Sequence, residues 1–145
     1  MEIFWDEIPI QTKEYLKVVD ITDKVQHILQ ARGVRNGSVL LYNPHVTCAV
    51  TINENDPELW QDLLEAYQRL APLKADYKHN AKYRGIAREE NAHAHILNTL
   101  IGQSVTIPVR NGNLLLGTWQ AVLYIELDGG KKRTLIVQTT KMEGQ

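Results

Sequence analysis

The sequence predicts a single α+β domain over residues 1–145, a mostly antiparallel β-sandwich or barrel with packed helices. Two observations lead to this class. Segments rich in β-branched and aromatic residues alternate with helical patterns in the order ββαββααββββ. Asn111-Gly112 and Asp128-Gly129 are strong hairpin signals in the strand-rich last third. Hairpins join antiparallel strands directly, so we expect the helices to cover a sheet rather than to connect parallel strands.

The first predicted elements are strands and one helix. EIFWDEIPIQTKEYLKVVDIT predicts two short strands around a polar turn. TDKVQHILQARG predicts a helix that begins at its N-cap Thr22 and ends at Gly33. SVLLYN and VTCAVTIN predict two further strands, interrupted at Asn43-Pro44.

The clearest helix is DPELWQDLLEAYQRLAP, in which Asp56 can cap the helix and Pro57 suits its first position. Residues 75–90 form a polar, irregular stretch, and connections of that length are often functional. A short helix is expected over 91–101, ending at Gly102. The remaining predicted strands are SVTIPV, NLLLG, WQAVLYIEL and RTLIVQTT.

The composition excludes several classes of function. The chain is 43% apolar and 23% charged, with a net charge of −1, which argues against a broad electrostatic field for nucleic acid or membranes. There is no apolar run of the ~18 residues that a membrane span needs. The acidic start MEIFWDEIPI lacks the basic region of a signal peptide, and the single cysteine, Cys48, cannot form an internal disulfide. We therefore expect a cytoplasmic protein without nucleic-acid or membrane partners.

The stretch HVTCAVTINENDP is the first candidate for chemistry. Strand alternation puts His45 on a small polar face and Val46 on an apolar face that we expect to face the core. The strand ends in four amide or carboxylate side chains, those of Asn53, Glu54, Asn55 and Asp56. Helix capping is the favoured explanation for Asn55 and Asp56. Asn53 and Glu54 are as consistent with a site as with a turn.

The pair His93 and His95 raises the question of a metal. Residues two apart on a helix point about 200° apart, so one ion cannot easily hold both. His93 would lie over the apolar stripe, while His95 would join a polar stripe with Asn91 and Asn98. Two interpretations stay open: a nearly extended pair chelates together, or a regular helix directs His95 alone to a pocket or a neighbouring subunit. The second is simpler.

Together, His45, His79 and His95 could supply three neutral imidazoles. Three nitrogen ligands with an open fourth position are typical of catalytic zinc. The spacing matches no compact zinc motif, so it predicts a metal only weakly.

Basic side chains could bind an anion. They are Lys82, Arg84, Arg88, Arg110, Lys131, Lys132 and Arg133. The last three are typical of a solvated turn, and such a cluster can also hold a phosphate. No nucleotide-binding glycine loop is present. Trp119 in GTWQ is interpreted as a core anchor, with a stacking surface as the alternative.

HVTCAVTINEND, YKHN, NAHAHILNTLIGQSVTIPVRNGNLLLGTWQ and DGGKKRTLIVQ resemble, in that order, the landmarks of the YjbQ-like family. Members of this family are described as secondary thiamine-phosphate synthases. The resemblance covers about residues 10–140. This sequence departs from the family pattern at Val46, where threonine is common, and at Cys48, where a small residue is usual.

The resemblance implies a compact α+β sandwich, a homotrimer and a histidine-lined pocket that holds a metal such as zinc in some members. Position by position it points to the histidines 45, 79 and 95 as metal ligands and to Asn53 and Glu54 as catalytic residues. The implied substrate-binding residues are Asn55, Gln120 and Arg133, to which we add Lys132.

The implied activity joins hydroxymethylpyrimidine pyrophosphate to hydroxyethylthiazole phosphate and releases pyrophosphate. It needs cations for the leaving group and a slot for two flat rings. Lys132 and Arg133 would hold phosphates with a divalent ion, either zinc at the histidines or Mg²⁺ with the pyrophosphate. Glu54 would act as a base or hold a histidine in place. The alternatives are a metal-dependent hydrolase of a phosphorylated small metabolite and a non-catalytic trimeric module that binds a phosphorylated ligand.

Overall fold

The computed structural model describes residues 1–85 and 90–142, which form a single α+β domain, as predicted. Its strands are β1 (Glu2–Gln11), β2 (Lys17–Asp20), β3 (Gly37–Tyr42), β4 (Cys48–Asn53), β5 (Ser104–Arg110), β6 (Asn113–Leu114), β7 (Ala121–Glu126) and β8 (Lys132–Lys141). Its helices are α1 (Thr22–Ala31), α2 (Pro57–Leu70), α3 (Lys78–Ala81) and α4 (Ala92–Ile101). No described helix is long and apolar enough to cross a membrane. Arg88, one of the basic side chains named above, lies outside the described residues.

The strands form two antiparallel sheets. The larger sheet has the order β1-β8-β3-β5-β6, and the smaller has the order β2-β7-β4. In the smaller sheet, Cys48 lies opposite Glu126 and Asn53 lies opposite Ala121. Because β4 and β7 are antiparallel, the start of β4 and the end of β7 meet at one edge of the sandwich, where Cys48 lies opposite Glu126.

The core consists of two hydrophobic clusters, one on each face of the smaller sheet. Tyr124 of β7 and Leu135 of β8 belong to the cluster between the two sheets. Ile125, which follows Tyr124, faces the other way and packs with Leu97 of α4 and Trp60 of α2. Successive residues of a strand point to opposite faces, so one strand supplies both clusters. The domain therefore has three layers: the five-stranded sheet, the three-stranded sheet, and helices α2 and α4.

Local side-chain chemistry determines where the helices begin. The Asp56 carboxylate accepts a hydrogen bond from the Glu58 N–H at 3.0 Å, and Pro57 takes the first helical position, as predicted. At α1 the predicted N-cap is wrong by one residue, because the N-cap is Ile21 and not Thr22. Thr22 is the first helical residue, and the Asp20 carboxylate accepts from its backbone N–H at 2.9 Å.

Two of the predicted turns have different outcomes. Asn111 and Gly112 have φ values of 53° and 81°, and they join β5 to β6 as the predicted hairpin. Asp128-Gly129 does not form a hairpin, because β7 belongs to the smaller sheet and β8 to the larger. This turn connects the two sheets, and the next subsection shows what holds it.

Candidate functional site

The edge of the sandwich where β4 begins and β7 ends contains a buried ion pair. Arg133, the second residue of β8, donates from Nε to Glu126 Oε1 at 2.9 Å and from Nη2 to Glu126 Oε2 at 2.6 Å. Arg133 is 4% exposed and Glu126 is fully buried. Nη2 also donates to the Thr47 hydroxyl at 2.9 Å. The pair therefore ties both sheets and the connection before β4 together.

Glu126 also holds the turn after β7. Its Oε2 accepts from the backbone N–H groups of Leu127, Asp128 and Gly129 at 3.0–3.1 Å. Burial raises the pKa of Glu126, but the hydrogen bonds from Arg133 and from the backbone outweigh burial and lower it. The carboxylate is therefore held ionised, and it organises the turn that was expected to be a hairpin.

The connection over residues 43–47 is irregular because side-chain amides satisfy its backbone. Asn43 Nδ2 donates to the Cys48 carbonyl at 2.8 Å, and Asn98 Nδ2 of α4 donates to the same carbonyl at 2.7 Å. Val46 is 61% exposed, so the expectation that it faces the core is wrong. The strand pattern starts later than predicted, at Cys48, because these amides replace the ladder before it.

Behind this connection lies a buried cysteine. Cys48 Sγ lies 2.7 Å from the Tyr124 hydroxyl, which donates to Asn43 Oδ1 at 3.3 Å. Burial raises the pKa of the Cys48 thiol. Burial and the neighbouring Cys48 likewise raise the pKa of Tyr124. Both groups are held neutral, so this network supports packing and offers no activated nucleophile.

His45 is held by the backbone of β8. Its Nε2 accepts a hydrogen bond from the Thr134 backbone N–H at 3.0 Å. An N–H group can only donate, so Nε2 carries the lone pair and Nδ1 carries the proton of the neutral ring. Burial, followed by the nearby Arg133, lowers the pKa of His45. His45 lines a cleft of about 450 Å³ together with Val46 and Asn98.

The polar stripe predicted on α4 is present. Asn91, the residue before α4, donates to Asp128 Oδ2 at 2.9 Å, and Asn98 donates to the His45 carbonyl at 3.3 Å. His95 lies between them in the sequence. His93 is 2% exposed, so it faces the core, as a regular helix predicts. The second interpretation of the histidine pair is therefore the one that the helix follows.

His95 meets His79 of the short helix α3. Their ring centroids are 4.8 Å apart, with an angle of 54° between the ring planes. His79 Nδ1 lies 3.2 Å from Asn80 Oδ1, which also accepts from the Ala92 backbone N–H at 3.0 Å. Burial, followed by the nearby His79, lowers the pKa of His95. Two of the three predicted metal-binding histidines are therefore neighbours.

A third histidine does not complete this pair in the described residues. Within residues 1–85 and 90–142, no three His, Cys, Asp or Glu side chains converge on a common point for a metal. His79 and His95 are two imidazoles that lie side by side. His45 uses its Nε2 lone pair on Thr134, so binding a metal through that atom would break a backbone hydrogen bond. Its role as a ligand stays a prediction.

The other predicted site residues lie at the far end of β4. Asn53, Glu54, Gln120 and Trp119 line a separate cleft of about 370 Å³. Asn55, at the start of the connection to α2, is exposed. The six residues of β4 span roughly 16 Å between this cleft and the buried ion pair. Within one chain, the structure does not bring Glu54 to the histidines that it was expected to hold.

Trp119 and the basic side chains differ from their expected settings. Trp119 is 74% exposed, so its interpretation as a core anchor is wrong. Lys131 pairs with Asp128 at 2.7 Å, and Lys132 is exposed. Arg133 points into the core rather than into a solvated turn, and its role as a phosphate ligand stays a prediction.

Sequence reasoning missed Glu126. The signal was present, because a glutamate within the apolar strand AVLYIEL is unusual unless it has a buried partner. Alternation along β8 also puts Arg133 on the same face as the buried Leu135 and Val137. A glutamate and an arginine on two inward faces predict a pair, but only once the two sheets are known to face each other.

Two relatives and one solved structure are similar to the chain over most of its length. The UPF0047 protein of Archaeoglobus fulgidus is 40% identical over 132 residues, covering 91% of this chain and 98% of that protein. The UPF0047 protein YugU of Bacillus subtilis is 34% identical over 132 residues, covering 90% and 95%. A crystal structure of a YbjQ-like protein of unknown function from Sulfolobus solfataricus has a TM-score of 0.90 and 34% identity, covering 97% and 99%.

These names correct the expected activity. The two relatives carry only the name of the family, and the Sulfolobus protein is described as being of unknown function. Nothing in them supports thiamine-phosphate synthase activity, so that expectation is wrong for this chain. The family model described as "UPF0047 protein YjbQ-like" matches residues 6–142. With the matching fold and these relatives, this shows that the chain belongs to the UPF0047 YjbQ-like family.

Proposed function

We propose that His79 and His95 bind a divalent transition metal, with zinc as the first candidate, and that the bound ion takes an anionic ligand. The observation that carries this proposal is the 4.8 Å separation of the two ring centroids. Imidazole nitrogens suit zinc and related metals, whereas Mg²⁺ prefers oxygen ligands. Mg²⁺ bound with the ligand's own phosphate is the alternative, and it would not need the histidine pair.

The hydrogen bonds around His79 prepare it for this role. Asn80 Oδ1 accepts from the Ala92 N–H, which fixes it as an acceptor, so His79 Nδ1 must donate to it. The neutral ring then has its lone pair on Nε2. A metal-binding histidine commonly donates its other N–H to an oxygen in this way, because that bond orients the ring.

His95 supplies the second nitrogen. The lowered pKa of His95, caused first by burial and then by His79, favours the neutral ring that a metal requires. Within the described residues, neither ring nitrogen of His95 is used in a hydrogen bond with the protein. A metal held there would polarise a bound oxygen and lower the pKa of a bound water.

A phosphorylated small metabolite is the anionic ligand that we infer. The bound metal ion and the exposed side chain of Lys132 would attract it. Lys131 also lowers the pKa of His95, but it is paired with Asp128, which raises that pKa by more. Two nitrogen ligands leave positions open for water, for the ligand, or for a residue of a second copy in the homotrimer that we expect. The cytoplasmic location also stays a prediction.

The test is to measure zinc binding to the full chain, without a histidine tag, by isothermal titration calorimetry. We expect saturable binding of Zn²⁺ but not of Mg²⁺, and roughly tenfold or greater weakening in both His79→Ala and His95→Ala. His27→Ala is the matched control, because His27 is exposed on α1. His45→Ala separates a pair from a set of three. If zinc binds equally well to His95→Ala and His27→Ala, the proposal is wrong.

A further inference from the structure

The cleft at His45 is a second place where a ligand can enter, and we call it the His45 cleft. Its volume is about 450 Å³, and its walls include Tyr42, His45, Val46, Asn98, Thr99 and Gln103. Among the described residues, none of its walls is an aspartate, glutamate, lysine or arginine. Asn98 and Thr99 follow His95 on α4, so the cleft begins about one helical turn, roughly 5 Å, from that side chain.

One hydrogen bond determines where the His45 ring carries its proton. Nε2 accepts from the Thr134 backbone N–H at 3.0 Å, and a backbone N–H cannot accept in return. While this bond exists, Nε2 can hold neither a proton nor a metal ion. A neutral imidazole has one lone pair for bonding, and here Nε2 uses it. The proton therefore lies on Nδ1, and the ring can act toward a ligand only as a hydrogen-bond donor.

The Nδ1–H group of His45 reaches the cleft without a partner. Within residues 1–85 and 90–142, the hydrogen bonds of His45 use its Nε2, its backbone N–H and its carbonyl. The ring is half-buried, and Nδ1 is not among the described buried atoms that lack a partner, so Nδ1 is open to solvent. Nε2 points to β8, and no residue of β8 is a wall of the cleft. Because the two nitrogens of an imidazole point in widely different directions, Nδ1–H is directed away from β8, toward the cleft.

The charges near His45 favour an anionic oxygen as the acceptor. Arg133 lowers the pKa of His45 by more than Glu126 raises it, so the positive member of the buried pair acts on the ring more strongly. Lys132 is exposed and lies on the same face of β8 as Thr134, about 7 Å along the strand. An ammonium or metal ion would find no lone pair on the ring. A hydrogen bond to a charged oxygen is also stronger than one to a neutral oxygen or to water.

We propose that the Nδ1–H group of His45 binds an anionic oxygen in the His45 cleft, and that His45 is not a metal ligand. Some enzymes use a neutral histidine as a donor in this way, because a fixed tautomer can polarise a ligand oxygen without giving up its proton. This role differs from the metal-binding role that the family resemblance implies for His45. It does not depend on a metal at His79 and His95.

The test is NMR of the ring nitrogens in the uniformly ¹⁵N-labelled full chain, without a histidine tag and without added metal. We expect the His45 proton on Nδ1 and none on Nε2. Inorganic phosphate should shift the Nδ1 signal saturably, with a dissociation constant of roughly 1–10 mM. Acetamide is the neutral probe of similar size and should leave that signal in place. In a separate titration, Zn²⁺ should leave both nitrogen signals of His45 unchanged.

Two variants separate the donor from the shape of the ring, with phosphate binding followed through the backbone N–H signals of Asn98 and Thr99. His45→Phe keeps a ring but removes both nitrogens, and it should weaken phosphate binding about tenfold. His45→Gln offers an oxygen to the Thr134 N–H and an amide N–H to the cleft, so it should recover part of that loss, although glutamine is not a zinc ligand. His27→Phe is the matched control at an exposed histidine and should bind phosphate as the unmodified chain does.

Several results would overturn the proposal. They are a proton on Nε2 of His45, an Nδ1 signal that phosphate does not move, and a Zn²⁺-dependent change at either nitrogen. A response to acetamide as large as the response to phosphate would overturn the assignment of an anionic ligand. If His45→Phe does not fold, the spectra of the unmodified chain and of His45→Gln decide. If Zn²⁺ moves no histidine signal while phosphate moves that of His45, the proposed metal site alone is wrong.

Discussion

Removing either partner of the buried pair Arg133–Glu126 should destabilise the protein, and by unequal amounts. In Arg133→Met, the Glu126 carboxylate loses its cation but keeps three backbone N–H donors. In Glu126→Gln, the amide can serve the backbone or Arg133 but not both, and a guanidinium that is 4% exposed is left without a countercharge. The glutamine variant should therefore lose more stability.

The size of the effect follows from breaking a buried pair, which costs about 3–5 kcal/mol. We place Arg133→Met near 3 kcal/mol and Glu126→Gln near 5 kcal/mol. For a chain of 145 residues, the unfolding entropy near the melting temperature is about 0.3 kcal/mol/K. The expected falls in Tm are therefore roughly 10 °C and roughly 16 °C.

Thermal and urea unfolding of the two variants and of the double variant would measure this. The double variant should be more stable than Glu126→Gln alone, because it removes the unpaired charge. Lys131→Met is the matched control, since its pair with Asp128 is 33% exposed on the lysine side and should contribute about 0–1 kcal/mol. A loss below about 1 kcal/mol in Arg133→Met would refute the reasoning and leave Arg133 available for a ligand.

Three further predictions concern pH, a thiol and a glycine. Burial lowers the pKa of His45 and of His93 in the folded chain, whereas the pKa of an unfolded histidine is about 6.5. The contribution of these histidines to the free energy of unfolding should therefore be fully present above that pH and be lost as the pH falls through the folded pKa values. A melting temperature that stays constant from pH 8 to pH 5 would contradict this. Cys48 is buried with a raised pKa, so a thiol reagent should label it only in denaturant, and rapid labelling of the folded chain would contradict its burial. Gly129→Ala should cost about 1–3 kcal/mol in urea unfolding because its φ is +82° and Glu14 is too close, whereas Gly112→Ala, which meets no atom within 4 Å, is the control for φ alone.

Local patterns predicted some elements closely. Asp56 and Pro57 mark the start of α2 because their effect involves only the next few residues. The stripe of α4 placed His93 inward and His95 on a polar face because helix periodicity needs no tertiary partner. Asn111-Gly112 formed its hairpin for the same reason.

The predictions that were wrong concern features that depend on which strands pair with each other. Asp128-Gly129 has the composition of a hairpin, but Glu126 holds the turn from inside and the following strand pairs elsewhere. The sequence groups Arg133 with Lys131 and Lys132, whereas its inward direction depends on the position of β8 in the larger sheet. Trp119 lies in a loop, where no periodicity indicates its exposure. Turn chemistry and composition do not determine the order of the strands in the sheets, so the settings of these residues could be found only from the folded structure.

The three N–H bonds to Glu126 also have a consequence for local motion. Amide protons in an exposed turn usually exchange with solvent within the fast, fraying part of the native ensemble. Those of Leu127, Asp128 and Gly129 are instead bonded to a carboxylate that is fully buried. Opening them requires the two sheets to separate, so they should exchange at rates close to those of the central strands. The segment that holds Asp128, which influences His95, would then behave as part of the rigid scaffold.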